Sequence, residues 1–216
     1  MCSHYESPTP SQLAEAFGVE SAPQGRLDLW PGFTGPFLRG GMDPHKTDGA
    51  GPEFELLSGS FGLIPSWSKD RKISKRTYNA RSETVAEKPS FRNAWRRAQH
   101  CIIPAAAIYE PDWRSGKAVA TRIARADGGL MGIAGLWEAW REPGTGEVVH
   151  SYTMLTVNAD SHDLMRNYHR PGDEKRMVVI LPRGLYREWL NAPVEESAGY
   201  MRRFPADRLA VTALKQ

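Results

Sequence analysis

The sequence predicts an α+β fold: a strand-rich single domain with an antiparallel sheet or barrel-like core and short peripheral helices. Three observations carry this expectation. Sixteen prolines and 20 glycines interrupt the 216 residues too often for a long-helix bundle. Apolar segments between residues 119 and 157 follow one another across short Gly-containing connections, the pattern of consecutive antiparallel strands. The length fits one domain, residues 1–216, and 40% apolar with 25% charged residues excludes a largely disordered chain.

Taken in order, Ser11–Phe17 reads as a short helix, with Ser11 as N-cap and Gly18 just past its end. Arg39–Pro52, rich in Gly, Asp and Pro, reads as an exposed loop. Phe54–Ile64 is a strand region that stops at Pro65. Thr84–Ala98 carries Val85, Phe91 and Trp95 at helical spacing, and Pro89 is expected to shorten that helix. His100–Tyr109 is apolar enough for a buried strand, and Cys101 within it for a buried inert thiol. Val119–Ile123, Leu130–Trp140 and Val148–Val157 are the consecutive strands, with Trp137 and Trp140 in the core. Asp160–Tyr168 reads as a helix, Met177–Leu181 as a buried strand and Leu185–Leu190 as a short helix.

No apolar run approaches the roughly 18–20 residues that cross a bilayer, and the start has no basic-then-apolar leader. A soluble, cytoplasmic protein without a membrane partner is expected, nucleoid-associated if the source is bacterial. Two cysteines are too few for a disulfide framework. His162 and His169 lie seven apart, which is not the two-histidine spacing of zinc hydrolases, so neither a metal nor another cofactor is expected. The net charge of +3 is small, but Lys69–Arg81 alone carries +5, and Arg92, Arg96 and Arg97 follow. Such a patch attracts phosphate backbones; an ordinary solvated surface has the same composition.

Cys2 is the most informative residue. Loss of Met1, expected because a small residue follows it, leaves a cysteine with a free α-amine. An α-amine has a pKa of roughly 7.7–8.0, against about 10.4 for lysine, so far more of it is a neutral nucleophile near pH 7.5. With the adjacent thiol it can trap an aldehyde as an imine and then as a five-membered thiazolidine. The same pair suits an N-terminal-nucleophile hydrolase, and a cysteine in a frayed terminus has no function at all.

Other segments narrow these alternatives. They are Met1-Cys2-Ser3-His4-Tyr5, Gly62-Leu63-Ile64-Pro65-Ser66-Trp67, Tyr78-Asn79-Ala80-Arg81-Ser82-Glu83-Thr84, Ile108-Tyr109-Glu110, and His169 upstream of Arg176-Met177-Val178-Val179-Ile180-Leu181. In this order they resemble the SOS-response-associated peptidase family, the abasic-site-trapping proteins of bacteria and eukaryotes, from Met1 to about Leu190. The resemblance implies a protein that cross-links covalently, as a thiazolidine, to abasic sites in single-stranded DNA near single-strand/double-strand junctions. It also implies self-removal of Met1, or its removal by an aminopeptidase, with lyase activity as a further capacity; a monomer is expected.

By the same resemblance Cys2 is the nucleophile, Asn79 places an amide beside it, and Arg81 holds a phosphate. Glu110, at the end of an apolar strand, would move protons once burial raises its pKa. His169 would protonate the sugar ring oxygen. Trp67 would stack on an unpaired base, with Ile64 and Pro65 as an apolar wedge and Lys75 and Arg76 in the basic window. Two departures stand out. Ser3-His4 replaces the family's common Gly-Arg, which makes His4 a weaker DNA contact. Arg170-Pro171-Gly172-Asp173-Glu174-Lys175 separates His169 from the Arg-Met pair that usually follows it closely, which would shift the histidine or lengthen the pocket wall. Two rival functions remain: a cysteine-dependent peptidase or amidase acting in trans, and a non-covalent single-strand-binding module.

Overall fold

Segments rich in Val, Ile, Thr and aromatic residues satisfy their main-chain groups by pairing, and here the pairing closes on itself. The computed structural model describes residues 2–20, 25–41 and 53–213. Along the chain run β1 (Tyr5–Glu6), α1 (Pro10–Phe17), β2 (Asp28–Leu29), β3 (Thr34–Gly40), β4 (Phe54–Phe61), β5 (Asn79–Arg81), α2 (Arg92–Arg96), β6 (His100–Ala105) and β7 (Ala107–Asp112). They continue with β8 (Val119–Arg125), β9 (Met131–Arg141), β10 (Val148–Asn158), β11 (Arg176–Val178), β12 (Ile180–Leu181), α3 (Tyr186–Asn191) and β13 (Leu209–Ala213). None of the described helices is long and apolar enough to cross a membrane.

β4, β3, β6, β9 and β10 form a closed five-strand barrel. Four of its seams are antiparallel; the fifth, between β10 and β4, is parallel, with Ser151 opposite Ser60 and Tyr152 opposite Phe61. The aromatic side chains of Phe37, Phe61 and Tyr152 are fully buried, as are Leu38, Ile102, Ile133 and Leu136. β6 is buried at every position because α3 covers its other side, and Trp189 Nε1 donates to the Cys101 carbonyl at 2.9 Å. A second, antiparallel sheet in the order β13-β8-β7-β1-β2 carries the N-terminus. Gly35 lets the two layers meet: a Cβ there would collide with Leu29 and with the Tyr5 and Tyr152 hydroxyls.

The fold class is the expected one, and several elements differ in detail. α1 starts one residue earlier than Ser11 allows. Thr9 caps it, its hydroxyl accepting from Gln12 N–H while the Gln12 side chain accepts from Thr9 N–H, and Pro10 sits at the first helical position. Gly18 ends it at φ 65°, as read. Of the 39–52 loop, Arg39 and Gly40 belong to β3, opposite Glu55 and Phe54, while 42–52 lie outside the described residues. The helix expected over 84–98 is only Arg92–Arg96; turns bonded back to Thr84 occupy the stretch around Pro89.

The single strand over 100–109 is two, because the chain leaves the barrel at Ala106, whose N–H donates to the Glu6 carbonyl, and enters the second sheet. β9 and β10 pair as expected, but β8 belongs to the other sheet, between β7 and β13. The helix expected over 160–168 is one 3-10 turn at Met165–Asn167, since His162 Nδ1 accepts the Leu164 and Met165 N–H groups. Met177–Leu181 divides at Val179, whose N–H binds Leu155 of β10 and whose carbonyl binds Ala134 of β9. The helix at 185–190 forms, shifted to Tyr186–Asn191.

Candidate active site and nucleic-acid interface

Four distant segments meet beside β7. On β7, Glu110 sits opposite Thr121 of β8 and is 3% exposed. β1 pairs with β7 at Tyr5 and Ile108, and Tyr109 N–H donates to the His4 carbonyl at 2.9 Å, which draws the N-terminal residues alongside. Cys2 is buried, with Sγ 3.4 Å from the His4 carbonyl oxygen. β5 runs parallel to β10, Asn79 opposite Met154. Strand alternation turns Ala80 into the core and leaves Asn79 and Arg81 on one face. Asn79 Nδ2 donates to the Cys2 carbonyl at 2.6 Å, and its Oδ1 is buried without a partner among the described residues.

His169 arrives last. An isolated bridge pairs Tyr168 with Asp112, and His169 N–H donates to the Pro111 carbonyl at 3.2 Å, which pins this segment to the end of β7. The histidine adopts φ 64°, a left-handed conformation uncommon outside glycine, and such strain gathers at functional sites. Its Nδ1 lies 3.3 Å from Glu110 Oε2 and its Nε2 3.0 Å from the Arg176 carbonyl. A carbonyl only accepts, so Nε2 carries a hydrogen, and the proton between Nδ1 and Oε2 is the one that titrates. Burial raises the Glu110 pKa to about 7 and lowers that of His169. Both shifts favour the neutral arrangement, in which the carboxylic acid donates to the imidazole. Burial, then the nearby Glu110 charge, also raises the Cys2 pKa and keeps its sulfur a thiol.

Glu110 and His169 border a cleft of about 480 Å³ whose lining also includes Ser3, Tyr78, Arg81, Tyr109, Trp113, Arg170, Asp173, Glu174 and Arg176. The 170–175 segment contributes Arg170, Asp173 and Glu174 to the cleft wall, and His169 contacts Glu110. Arg81 Nη1 is 2.8 Å from Glu174 Oε2. Arg176, buried, binds Glu83 through both terminal nitrogens, Glu174 and the Thr156 carbonyl. Sequence reasoning assigned no role to Arg176, Glu83 or Glu174; the available signal was an arginine opening the apolar run 177–181.

The remaining expected contacts are distributed unevenly. Trp67 is 53% exposed, its Nε1 donating to the Pro89 carbonyl, and offers a free ring face. Lys75 and Arg76 are exposed on a 3-10 turn, whereas Arg71 of the same basic window binds Glu142 and Glu147. Ile64 and Pro65 are buried, Ile64 N–H bonding Ser151 Oγ, so in this conformation neither projects as a wedge. His4 is stacked between Trp30 and Tyr109, 4.1 Å from each, with Nε2 3.0 Å from Asp28; its ring faces are taken. Cys101 is fully buried and Trp140 nearly so, while Trp137 is only partly covered.

Known proteins share this arrangement of chain. A crystal structure of a Bordetella bronchiseptica protein is 46% identical and covers 100% of both chains with a TM-score of 0.88. A Bacteroides thetaiotaomicron protein at 22% identity and TM-score 0.78, covering 99% of this chain and 92% of its own, shares the fold. Among curated proteins, the Bacillus subtilis abasic site processing protein YoaM is 37% identical over 145 residues, 66% of this chain and 59% of its own length. The Gallus gallus abasic site processing protein HMCES is 28% identical over 190 residues, 76% of this chain and 54% of its own. The chain thus spans little more than half the length of the curated relatives it matches. A family model, SOS response associated peptidase, matches residues 1–216, and the chain belongs to that family.

Proposed function

We propose that this protein processes abasic sites in single-stranded DNA by trapping the aldehyde of the opened sugar on Cys2 once Met1 has been removed. The observation that carries the reading is that Asn79 holds the carbonyl of buried Cys2 close enough to Glu110 to feel its charge, while Glu110 contacts His169 and both line a cleft that Arg81 also lines. The curated relatives, named abasic site processing proteins, supply the substrate class.

The chemistry follows from the protonation states. The Cys2 α-amine attacks the aldehyde carbon, and the resulting carbinolamine loses water to leave a C=N bond. Expulsion of that hydroxyl needs an acid, and the protonated Glu110, backed by His169, is one at neutral pH. The buried thiol then adds to the imine carbon and its proton passes to nitrogen, closing the thiazolidine. Burial keeps the sulfur protonated, so the amine acts first. Asn79 anchors the Cys2 carbonyl, and its Oδ1 is an acceptor for the new amine. Arg81 binds phosphate and Trp67 stacks on a base, both tolerant of sequence.

The test is a denaturing gel. Protein lacking Met1 and its Cys2→Ala variant are incubated with a labelled single strand carrying one abasic site, beside an intact strand. A heat-stable shifted band on the abasic strand, absent in the variant, is expected. No band from the folded wild type would overturn the reading and turn attention to small amide substrates.

A further inference from the structure

Resting on that reading, we propose that Glu174, on the segment between His169 and Arg176, is an internal counter-anion that occupies the Arg81 guanidinium until a DNA phosphate displaces it. Glu174 puts one carboxylate oxygen 2.8 Å from Arg81 Nη1 and the other 2.8 Å from Arg176 Nη1. A carboxylate bridging two guanidiniums stands where a phosphate would bind, because both anions present two oxygens to the same planar donors.

The two arginines are not equivalent. Arg176 is 2% exposed and keeps Glu83 and the Thr156 carbonyl whatever Glu174 does. Arg81 has a side chain 49% exposed to the cleft, and Glu174 is its ion-pair partner among the described residues. The Glu174 backbone is pinned by its neighbours: Lys175 N–H binds Asp160, Lys175 Nζ binds the Arg170 carbonyl, and Asp173 N–H closes a turn onto Arg170. Displacement therefore takes a side-chain rotation into solvent that also releases the Glu174 bonds to Arg176 and Asn158. A phosphate that binds Arg81 therefore does so at the expense of the Arg81–Glu174 pair, which lowers its net affinity.

Binding of a fluorescent single strand carrying a stabilised abasic analogue, and of an intact strand, is measured against salt for wild type, Glu174→Gln, Glu174→Ala and Arg81→Ala. Both Glu174 variants are expected to bind about two- to fivefold tighter at low salt, the range an exposed ion pair supports. Their affinity is also expected to fall more steeply with salt, by up to one further phosphate contact. In an Arg81→Ala background the gain should vanish, since Glu174 acts through Arg81. If Arg81→Ala weakens binding but neither Glu174 variant tightens it, the counter-anion role is wrong and the functional reading stands. If wild type binds neither strand and forms no adduct, both fall. A merely structural Glu174 would lower thermal stability and leave the salt slope unchanged, which would also overturn the proposal.

Discussion

Two buried carboxylates show how the barrel and the cleft differ. Glu138, on the barrel strand β9, and Glu110, on β7, are each 3% exposed, and burial raises the pKa of both. Glu138 faces Arg97, whose Nη2 reaches its two oxygens at 2.7 and 2.6 Å, and it also accepts from Ala139 N–H. Its partner is a permanent cation, so the pair has one stable protonation state. Glu110 faces His169, an imidazole whose pKa burial lowers, so its partner is a titratable ring rather than a fixed cation. The same burial beside a titratable partner leaves a proton that can move. Burial depth alone does not mark a catalytic acid; the identity of the partner does.

The largest expected effect tests this directly. Glu110→Gln should slow adduct formation about 100-fold or more, the lower range for losing a general acid, whereas Glu138→Gln should stay within about twofold of wild type. Timed quenches on a denaturing gel read both; equal slowing would break the comparison. The next effect is on stability. Glu110 binds its proton more tightly folded, at about 7, than unfolded, at 4.5, so its contribution is complete below pH 4.5 and is lost as pH rises through 7. The lowered pKa of His169 acts in the opposite sense, its contribution fading as pH falls below 6.5. Denaturant melts from pH 4.5 to 7.5 should therefore show wild type losing about 1–3 kcal/mol relative to Glu110→Gln. A constant difference would mean Glu110 titrates normally. The smallest effect concerns the rim: Arg81→Ala should weaken DNA binding several-fold and reduce the salt slope by about 0.7–1, and an unchanged slope would show that Arg81 touches no phosphate.

Most of the core was legible because its signals are local. Apolar runs became β6, β9 and β10, Gly18 stopped α1, and Pro89 shortened the helix that follows it. The two-residue strands β1 and β2 carry no periodicity to detect, and β13 is an ordinary-looking terminal stretch that only its pairing with β8 reveals. The helix expected over 160–168 failed because the His162 ring competes for the N–H groups it needed. Within the site, Cys2, Asn79, Glu110 and His169 were named from motifs and do meet. Glu174 was not, since a glutamate after a Pro-Gly-Asp turn looks like any solvated residue until its two arginines are seen.

The sequence by itself determined the fold class, the family and the candidate site residues, because hydrophobic pattern, turn chemistry and side-chain functional groups are properties of the chain. Only the tertiary structure decided that the barrel closes through one parallel seam, that Ile64 faces inward, that Glu110 and His169 lie within contact of each other, and that Arg81 already holds an anion. Those facts depend on what each group meets from segments tens of residues away, and burial and pairing, which set charge and pKa, exist only once the chain has folded.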